Sequence, residues 1–177
     1  KYDICSQSLI KCGAETISSF TDGTHESNVC SVMYDTTKKS LLYYSFWNFA
    51  IRKVQLNRLN ETPTDAKFLY AHSLVGDIIR TRSVFNEFGQ ADYTYKKEGQ
   101  KIFSNNKNAF LEYVSNIDET NMPSFFVEAL VSKLATEINE AITGSGTLTV
   151  RLAQDFQQKL RAARVADGQE NPPANIM

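Results

Sequence analysis

Three carboxylates in one segment are the residues of this sequence best suited by type to acid–base chemistry. Glu128, Glu137 and Glu140 alternate with Lys133 and with polar residues. Two carboxyl groups in unlike environments can act as general acid and general base. A glycoside hydrolase needs such a pair roughly 5 to 9.5 Å apart across a cleft. The alternation with Lys133 is typical of a solvated helix face. We therefore predict no catalytic pair among these three carboxylates.

The two histidines, His25 and His72, are the other possible general bases. His25 falls in the first turn of a predicted helix, where the helix dipole disfavours a positive charge. His72 stands beside Ser73 near the end of a predicted strand, and Ser6 is a second serine that a histidine could activate. Neither serine lies in the turn motif that exposes a nucleophile. We predict no catalytic residue, although a serine paired with a histidine stays open as an alternative.

The sequence also shows no motif for a metal or a cofactor, and we expect neither. Its three cysteines, Cys5, Cys12 and Cys30, are odd in number and lack the paired spacing of a zinc site. Two helical turns, roughly 10 Å, separate Cys5 from Cys12, too far for a disulfide, so we expect reduced thiols. The stretch TGSGT at 143–147 lacks the Lys-Ser/Thr and the preceding strand of a phosphate-binding loop, and we interpret it as a turn between helices.

Composition restricts the function classes further. The chain has 177 residues, of which 42% are hydrophobic and 22% charged, as in an ordinary globular protein. With 19 Lys and Arg against 20 Asp and Glu, the net charge is -1 and no basic stripe stands out. Sequence-specific DNA binding is therefore not expected. No apolar run approaches the roughly 20 residues of a membrane span, and the first residues lack the pattern of a signal peptide, so we expect a chain made in the cytoplasm.

Apolar residues at spacings of three and four predict four helices. Gly13 and Gly144 stand where helix C-caps would be, Thr24 is a candidate N-cap, and Gly168 is expected to end the last helix. The predicted helices span about 3–12, 24–47, 124–143 and 147–166. An extended tail is predicted for 168–177.

A cluster of aromatic residues marks the end of the second helix. Tyr43, Tyr44, Phe46, Trp47 and Phe49 lie close together, and the spacing of apolar residues changes from helical to alternating after them. Aromatic side chains bury a large area, and those of Tyr and Trp keep a polar group for hydrogen bonding. We interpret the cluster as a buried hinge between a helix and a strand.

Residues of about 49–117 are predicted to form a small β-rich insertion. Short segments with β-like patterns recur there, and KEGQ at 97–100 has the glycine of a tight hairpin turn. The predicted fold class is α+β: a mainly α-helical bundle of about four helices, with a small β-rich insertion between the second and third helices and an extended C-terminal tail. We expect one domain over 1–177.

The order of motifs resembles that of the head-to-tail adaptor family of short-tailed bacteriophages, also called tail tubular protein A, gatekeeper or tail accessory factor. The similar segments cover about residues 8–166. They are LIKCGAETISSFTDGT, NVCSVMYDTTKKSLLYYSFWNFAIRKVQL, LVGDIIRTRSVF and GQKIFSNNKNAFLEYVSNIDETNMPSFFVEALVSKLATEINEAITGS.

This resemblance implies a structural virion protein at the head–tail interface. Such proteins form a homo-oligomeric ring, a dodecamer in well-known relatives, beneath the portal protein. The ring extends the DNA channel and carries the tail nozzle, a tail tubular protein B-like partner, and possible tail fibres. Genomic DNA passes through without sequence-specific binding, and no membrane is involved.

Contact residues are therefore expected in place of catalytic ones. The predicted portal-facing or neighbour-facing residues lie on the last helix and the tail, and the hairpin is the predicted exposed tip of the insertion. The first group is Arg151, Arg161, Arg164, Gln169, Glu170 and Asn171, and the second is Lys97, Glu98, Gly99 and Gln100. The alternative from another class is a tail-associated peptidoglycan-degrading enzyme, and a helical binding module of unrelated origin is a third.

Overall fold

The computed structural model describes residues 1–170 of the chain. Of the structure, 48% is helical and 20% is in strands. The helices are α1 (Tyr2–Cys12), α2 (His25–Tyr44), α3 (Ser124–Thr143) and α4 (Gly146–Glu170). The strands are β1 (Ile51–Gln55), β2 (Asn57–Arg58), β3 (Tyr70–Ser73), β4 (Ile78–Phe85), β5 (Ala91–Asp92), β6 (Lys96–Glu98), β7 (Lys101–Ser104) and β8 (Phe110–Ser115). Two short 3-10 helices cover Asn48–Ala50 and Glu119–Asn121.

The predicted fold class, a mainly helical bundle with a small insertion, is wrong. The region between α2 and α3 forms two four-stranded antiparallel sheets, and the chain divides into two compact units. Unit 1 contains residues 1–49 and the chain from 118 onwards, and unit 2 contains residues 50–117. The sequence underestimated unit 2 because several of its strands have only two or three residues, too few to show alternation.

Unit 1 is built around α3, which packs against the other three helices. Its buried stripe, Phe126, Leu130, Leu134 and Ile138, repeats at spacings of four, so one face of the helix is apolar along its length. Opposite it, α4 buries Leu152, Phe156, Leu160 and Ala163, and α1 buries Ile4, Cys5, Leu9 and Cys12. The three cysteines are free and buried.

The expected cap residues are confirmed at three helix ends. The Thr24 side chain accepts a hydrogen bond from the Ser27 backbone N–H at 3.1 Å and starts α2. Gly13 and Gly144 have φ angles of 77° and 67° and end α1 and α3 in the left-handed conformation.

Two helix ends differ from the predicted bounds. Helix α2 ends at Tyr44, and the chain continues as an extended segment into the 3-10 helix. Helix α4 continues through Gly168 to Glu170. Gly168 does not end the helix, because a glycine only weakens helical structure. The residue before it, Asp167, accepts hydrogen bonds from Asn48 that hold this turn in place. The predicted tail is therefore wrong at 168–170, which are helical, and its residues 171–177 lie outside the described part of the chain.

The predicted aromatic hinge is only partly buried. Trp47 is fully buried, donates its Nε1–H to the Leu41 carbonyl at 3.0 Å, and meets Phe126 edge to face. Tyr43 and Tyr44, in contrast, are 57% and 49% exposed. Of Tyr43, Tyr44 and Trp47, only Trp47 therefore belongs to the hydrophobic core.

Unit 2 consists of two sheets with strand orders β1-β8-β4-β5 and β2-β3-β7-β6. Side chains from both sheets form one hydrophobic cluster: Leu56, Val84, Ile102, Ala109, Leu111 and Tyr113. The strands β6 and β7 are joined by Gly99 and Gln100, and Gly99 has a φ of 56°, which confirms the hairpin predicted from KEGQ.

Candidate functional site

Two of the three carboxylates considered for catalysis lie in ion pairs. Glu128 accepts a hydrogen bond from Lys159 at 2.7 Å, and Glu137 accepts one from Lys133 at 2.8 Å. Glu140 is exposed near the end of α3. All three sit on α3, where solvated charge is the ordinary use of Glu and Lys. The structure therefore places no two of them across a cleft from one another.

The two histidines and two serines do not form pairs. His25 lies at the surface with Nε2 3.0 Å from the Ala141 carbonyl, and Ser6 donates to the Ile17 carbonyl. His72 and Ser73 are neighbours on β3, so their side chains point to opposite faces of the sheet. Ser73 donates weakly to the Asn57 carbonyl instead.

A largely buried polar cluster in unit 1 was not predicted from the sequence. Glu119 accepts hydrogen bonds from the Tyr34 hydroxyl and the Lys38 ammonium, each at 3.0 Å. Burial opposes the ionisation of Glu119, but the hydrogen bonds from Lys38 and Tyr34, a backbone hydrogen bond and the charge of Lys38 together outweigh burial and lower the pKa of this carboxyl. Burial raises the pKa of the Tyr34 phenol, with the charge of Glu119 adding to it. These hydrogen bonds join the 3-10 helix at Glu119–Asn121 to α2. In the sequence, the cluster was indicated only by Lys38, a charged residue at a position where the helical pattern predicts an apolar one.

A second polar cluster joins α1, α3 and α4. The Lys11 ammonium lies 2.6 Å from Asp155 and 2.8 Å from the Ser132 hydroxyl, which itself donates to Asp155. Burial acts against ionisation of Asp155, but the hydrogen bonds from Lys11 and Ser132 prevail and lower its pKa. A cavity of about 430 Å³ opens beside this cluster, lined by Ile10, Lys11, Arg151, Leu152 and Asp155.

The predicted contact arginines all lie on the exposed side of α4, but they do not form one cluster. Arg151 lines the cavity beside α1, Arg161 donates to the Gln157 carbonyl one turn back, and Arg164 donates to the Ser45 hydroxyl at 3.0 Å. Gln169 and Glu170 are exposed in the last turn of α4. Asn171 lies outside the described residues.

The exposed side of α4, which we call the outer face, has an unusual composition. Between 147 and 169 its exposed residues include no Lys, Asp or Glu; Lys159 is half-exposed and paired with Glu128, and exposed Glu170 follows this range. The exposed residues of this range are Thr147, Val150, Arg151, Gln154, Gln157, Gln158, Arg161, Ala162, Arg164, Val165, Gly168 and Gln169. Depletion of Lys, Asp and Glu with retention of Arg is the composition found at the centre of protein–protein interfaces. The 25 residues of α4 give this face a length of about 37 Å.

Exposed aromatic residues continue the outer face at the end of α2. The Arg164 guanidinium lies 5.6 Å from the centre of the Tyr44 ring, a cation–π geometry. Tyr43 and Phe46 are beside Tyr44 in sequence, and all three aromatic side chains are 38% exposed or more. We call Tyr43, Tyr44, Phe46 and Arg164 the aromatic–arginine surface. Tyr and Arg are the residue types that most often dominate binding energy at interfaces.

The predicted tip of unit 2 is exposed. Lys97, Glu98, Gly99 and Gln100 are all solvent-accessible, and their hairpin borders a cavity of about 420 Å³ that Glu61 and Thr62 also line. Lys101 at the base of the hairpin pairs with Glu61 at 2.7 Å. The hairpin is therefore held in place by strand pairing and by this ion pair.

Further findings concern metals, membranes and known families. Among residues 1–170, no group of three or more His, Cys, Asp or Glu side chains is arranged to hold a metal ion. No helix in the same range combines the length and apolarity needed to span a bilayer. Compared with known proteins, the chain matches no family model and no curated protein.

Proposed function

We propose that this chain is a non-enzymatic head-to-tail adaptor of a short-tailed phage. In this proposal many copies form a ring beneath the portal protein, extend the DNA channel and carry the tail nozzle in the virion. The ordered motifs over about residues 8–166 suggest the family.

One structural observation carries the proposal furthest: the outer face of α4 together with the aromatic–arginine surface. A ring requires large side-to-side contacts on each copy, and its function requires no cleft. An exposed face without Lys, Asp or Glu that ends in exposed Tyr, Phe and Arg side chains has the composition of such a contact. Interfaces of stable complexes bury about 800 Å² on each partner, and a helix face about 37 Å long can supply a large part of that area.

The direct test is mass photometry of the purified chain, alone and mixed with portal rings from the same genome. We expect the chain to bind portal rings in a copy number equal to that of the portal subunits. A mixture in which portal rings keep their own mass at every concentration of the chain would refute the adaptor proposal.

A matched variant pair locates the contact. Arg161 and Val165 are exposed on the outer face, and R161E/V165E adds like charges to a face that lacks acids. Lys39 and Val32 are exposed on α2, so V32E/K39E makes the same kinds of change elsewhere. We expect R161E/V165E to abolish association and V32E/K39E to keep it. Equal binding by both variants would mean that the outer face is not the contact.

A further inference from the structure

A polar cavity in unit 2 shares no lining residue with the surfaces described so far. It has a volume of about 440 Å³ and is lined by Gln55, Leu56, Asn57, Arg58, Lys107 and Asn108. A cavity of this size falls within the range of small-molecule sites. Its lining contains two cations and three carboxamide side chains, and no carboxylate.

The two cations of this cavity have no acidic partner among the described residues. Three other basic residues of unit 2 are in ion pairs: Arg82 with Glu112, Lys96 with Glu98, and Lys101 with Glu61. Arg58 and Lys107 form no such ion pair in the described part of the chain. Unit 2 as a whole has ten Lys and Arg against seven Asp and Glu, so the cavity lies in a region with a surplus of positive charge. Two unpaired cations at one cavity favour an anion.

The backbone around the cavity is fixed by hydrogen bonds. Leu56 donates its N–H to the Ala109 carbonyl at 2.8 Å, which joins the two chain segments that line the cavity. Asn57 and Arg58 form β2 and pair with Ser73 and His72 of β3. Strand pairing thus fixes the backbone at Arg58. The hydrogen bond between Leu56 and Ala109 places the loop that carries Lys107 and Asn108 beside it.

The Arg58 guanidinium is also oriented by its neighbours. It lies 5.7 Å from the centre of the Tyr70 ring, and an aromatic ring beneath a guanidinium leaves the N–H groups along its edge free to bind an anion. On the other side, the Lys107 carbonyl lies 3.4 Å from Nε2 of the buried His72. The contact of Lys107 involves its backbone only, so its exposed ammonium stays available to a ligand. Arg58 lies between this cavity and a second one that Tyr70 and Glu61 line.

We propose that this cavity binds a phosphate group, with Arg58 and Lys107 as its charge partners. A phosphate offers oxygens for the forked donors of Arg58, for the ammonium of Lys107 and for the carboxamide N–H groups of Gln55 and Asn57. Asn108 contributes less, because its Nδ2 donates to Glu87 at 2.7 Å. Two positive charges match a phosphate better than they match a carboxylate, which has a single charge. The proposal does not depend on ring assembly.

The group could belong to a free phosphate compound or to a nucleic-acid backbone, and two probes separate these sources. The full chain, labelled with ¹⁵N, is titrated with inorganic phosphate and, separately, with a short single-stranded oligonucleotide, both at constant ionic strength set with chloride. We expect saturable shifts of the backbone amide signals of residues 55–58 and 107–108. Saturation by inorganic phosphate alone indicates a free phosphate compound, and saturation by the oligonucleotide alone indicates a backbone phosphate.

A matched pair of double variants controls for charge. Arg58 and Lys107 are changed in R58Q/K107Q, and Lys67 and Lys97, exposed cations of unit 2 that do not line the cavity, are changed in K67Q/K97Q. We expect binding to weaken at least about tenfold in R58Q/K107Q, since each charged hydrogen bond contributes substantially. We expect it to change less than about twofold in K67Q/K97Q. The amide spectrum itself reports whether each variant is folded. Absence of saturable shifts with both probes, or equal loss in both variants, would overturn the proposal.

Discussion

His72 is a buried polar residue whose hydrogen bonding is incomplete. It has no exposed surface, and its Nδ1 has no hydrogen-bond partner among the described residues. The carbonyl of Lys107 can only accept, so Nε2 carries the proton and Nδ1 is an acceptor without a donor. Burial lowers the pKa of His72, and the charge of Arg58 adds to this effect.

The lowered pKa of His72 predicts a loss of stability in mild acid. Below about pH 6.5 the unfolded chain binds a proton at His72 that the folded chain does not bind. The free energy of unfolding should therefore fall by up to about 1.4 kcal/mol per pH unit between pH 6.5 and the folded pKa. Urea unfolding at pH 7.5 and pH 5.5 measures this change. The variant H72F should lose most of the pH dependence, and an unchanged dependence in H72F would assign it to another group.

Asp167 is the residue that secures the last turns of α4. Its two carboxylate oxygens lie 2.9 and 3.1 Å from the Asn48 backbone nitrogen, and its own carbonyl accepts from the Asn48 side chain at 2.8 Å. Burial outweighs the donated N–H groups and raises the pKa of this carboxyl. The site therefore needs an acceptor oxygen more than it needs a charge.

Substitution of Asp167 separates these two requirements. D167A leaves a buried N–H without an acceptor and should lower the free energy of unfolding by about 1 to 3 kcal/mol. D167N keeps an acceptor oxygen and should cost clearly less. Gln169→Ala, exposed on the same helix, should change stability by less than about 0.5 kcal/mol. Urea unfolding at pH 7 measures all three, and equal losses in D167A and D167N would show that the charge itself matters.

At the scale of elements, the start of α2 depends on one side chain. Thr24 accepts the Ser27 N–H, one of the amide groups that the first turn of a helix leaves without a partner. T24A should therefore destabilise the protein by about 1 kcal/mol. Thr36, exposed in the middle of α2, is the matched control, because alanine favours a helix interior and T36A should be neutral or stabilising. A thermal unfolding midpoint that falls equally in both variants would contradict a capping role for Thr24.

At the scale of the whole molecule, the exposed aromatic residues should serve association and contribute little to folding. Tyr44 and Phe46 are 49% and 38% exposed, whereas Phe88 and Tyr93 of unit 2 are 80% and 92% exposed. We expect Y44S/F46S to weaken binding to portal rings at least about tenfold, as substitutions at interface hot spots do. F88S/Y93S is the control for loss of aromatic surface and should bind normally. Mass photometry measures binding, and thermal unfolding shows whether either variant is destabilised. Weaker binding by F88S/Y93S alone would move the contact to unit 2.

The local features of this protein follow from short stretches of its sequence. The Gly13 and Gly144 caps, the Thr24 cap and the hairpin at Gly99 were all predicted, because each depends on the conformational preference of one or two residues. Helix α3 was predicted at its observed bounds, since its apolar stripe is long and regular.

The size of unit 2 and the environment of the polar residues depend on contacts between distant parts of the chain. Strands as short as β2 and β5 are stabilised by pairing with distant segments, which no local pattern reveals. The Lys38, Tyr34 and Glu119 cluster, and the meeting of Arg58 with Lys107 at one cavity, join residues far apart in sequence. The burial of Trp47 beside exposed Tyr43 and Tyr44 likewise depends on what each side chain meets after folding. Contacts between distant residues are set by packing, and packing is a property of the whole chain.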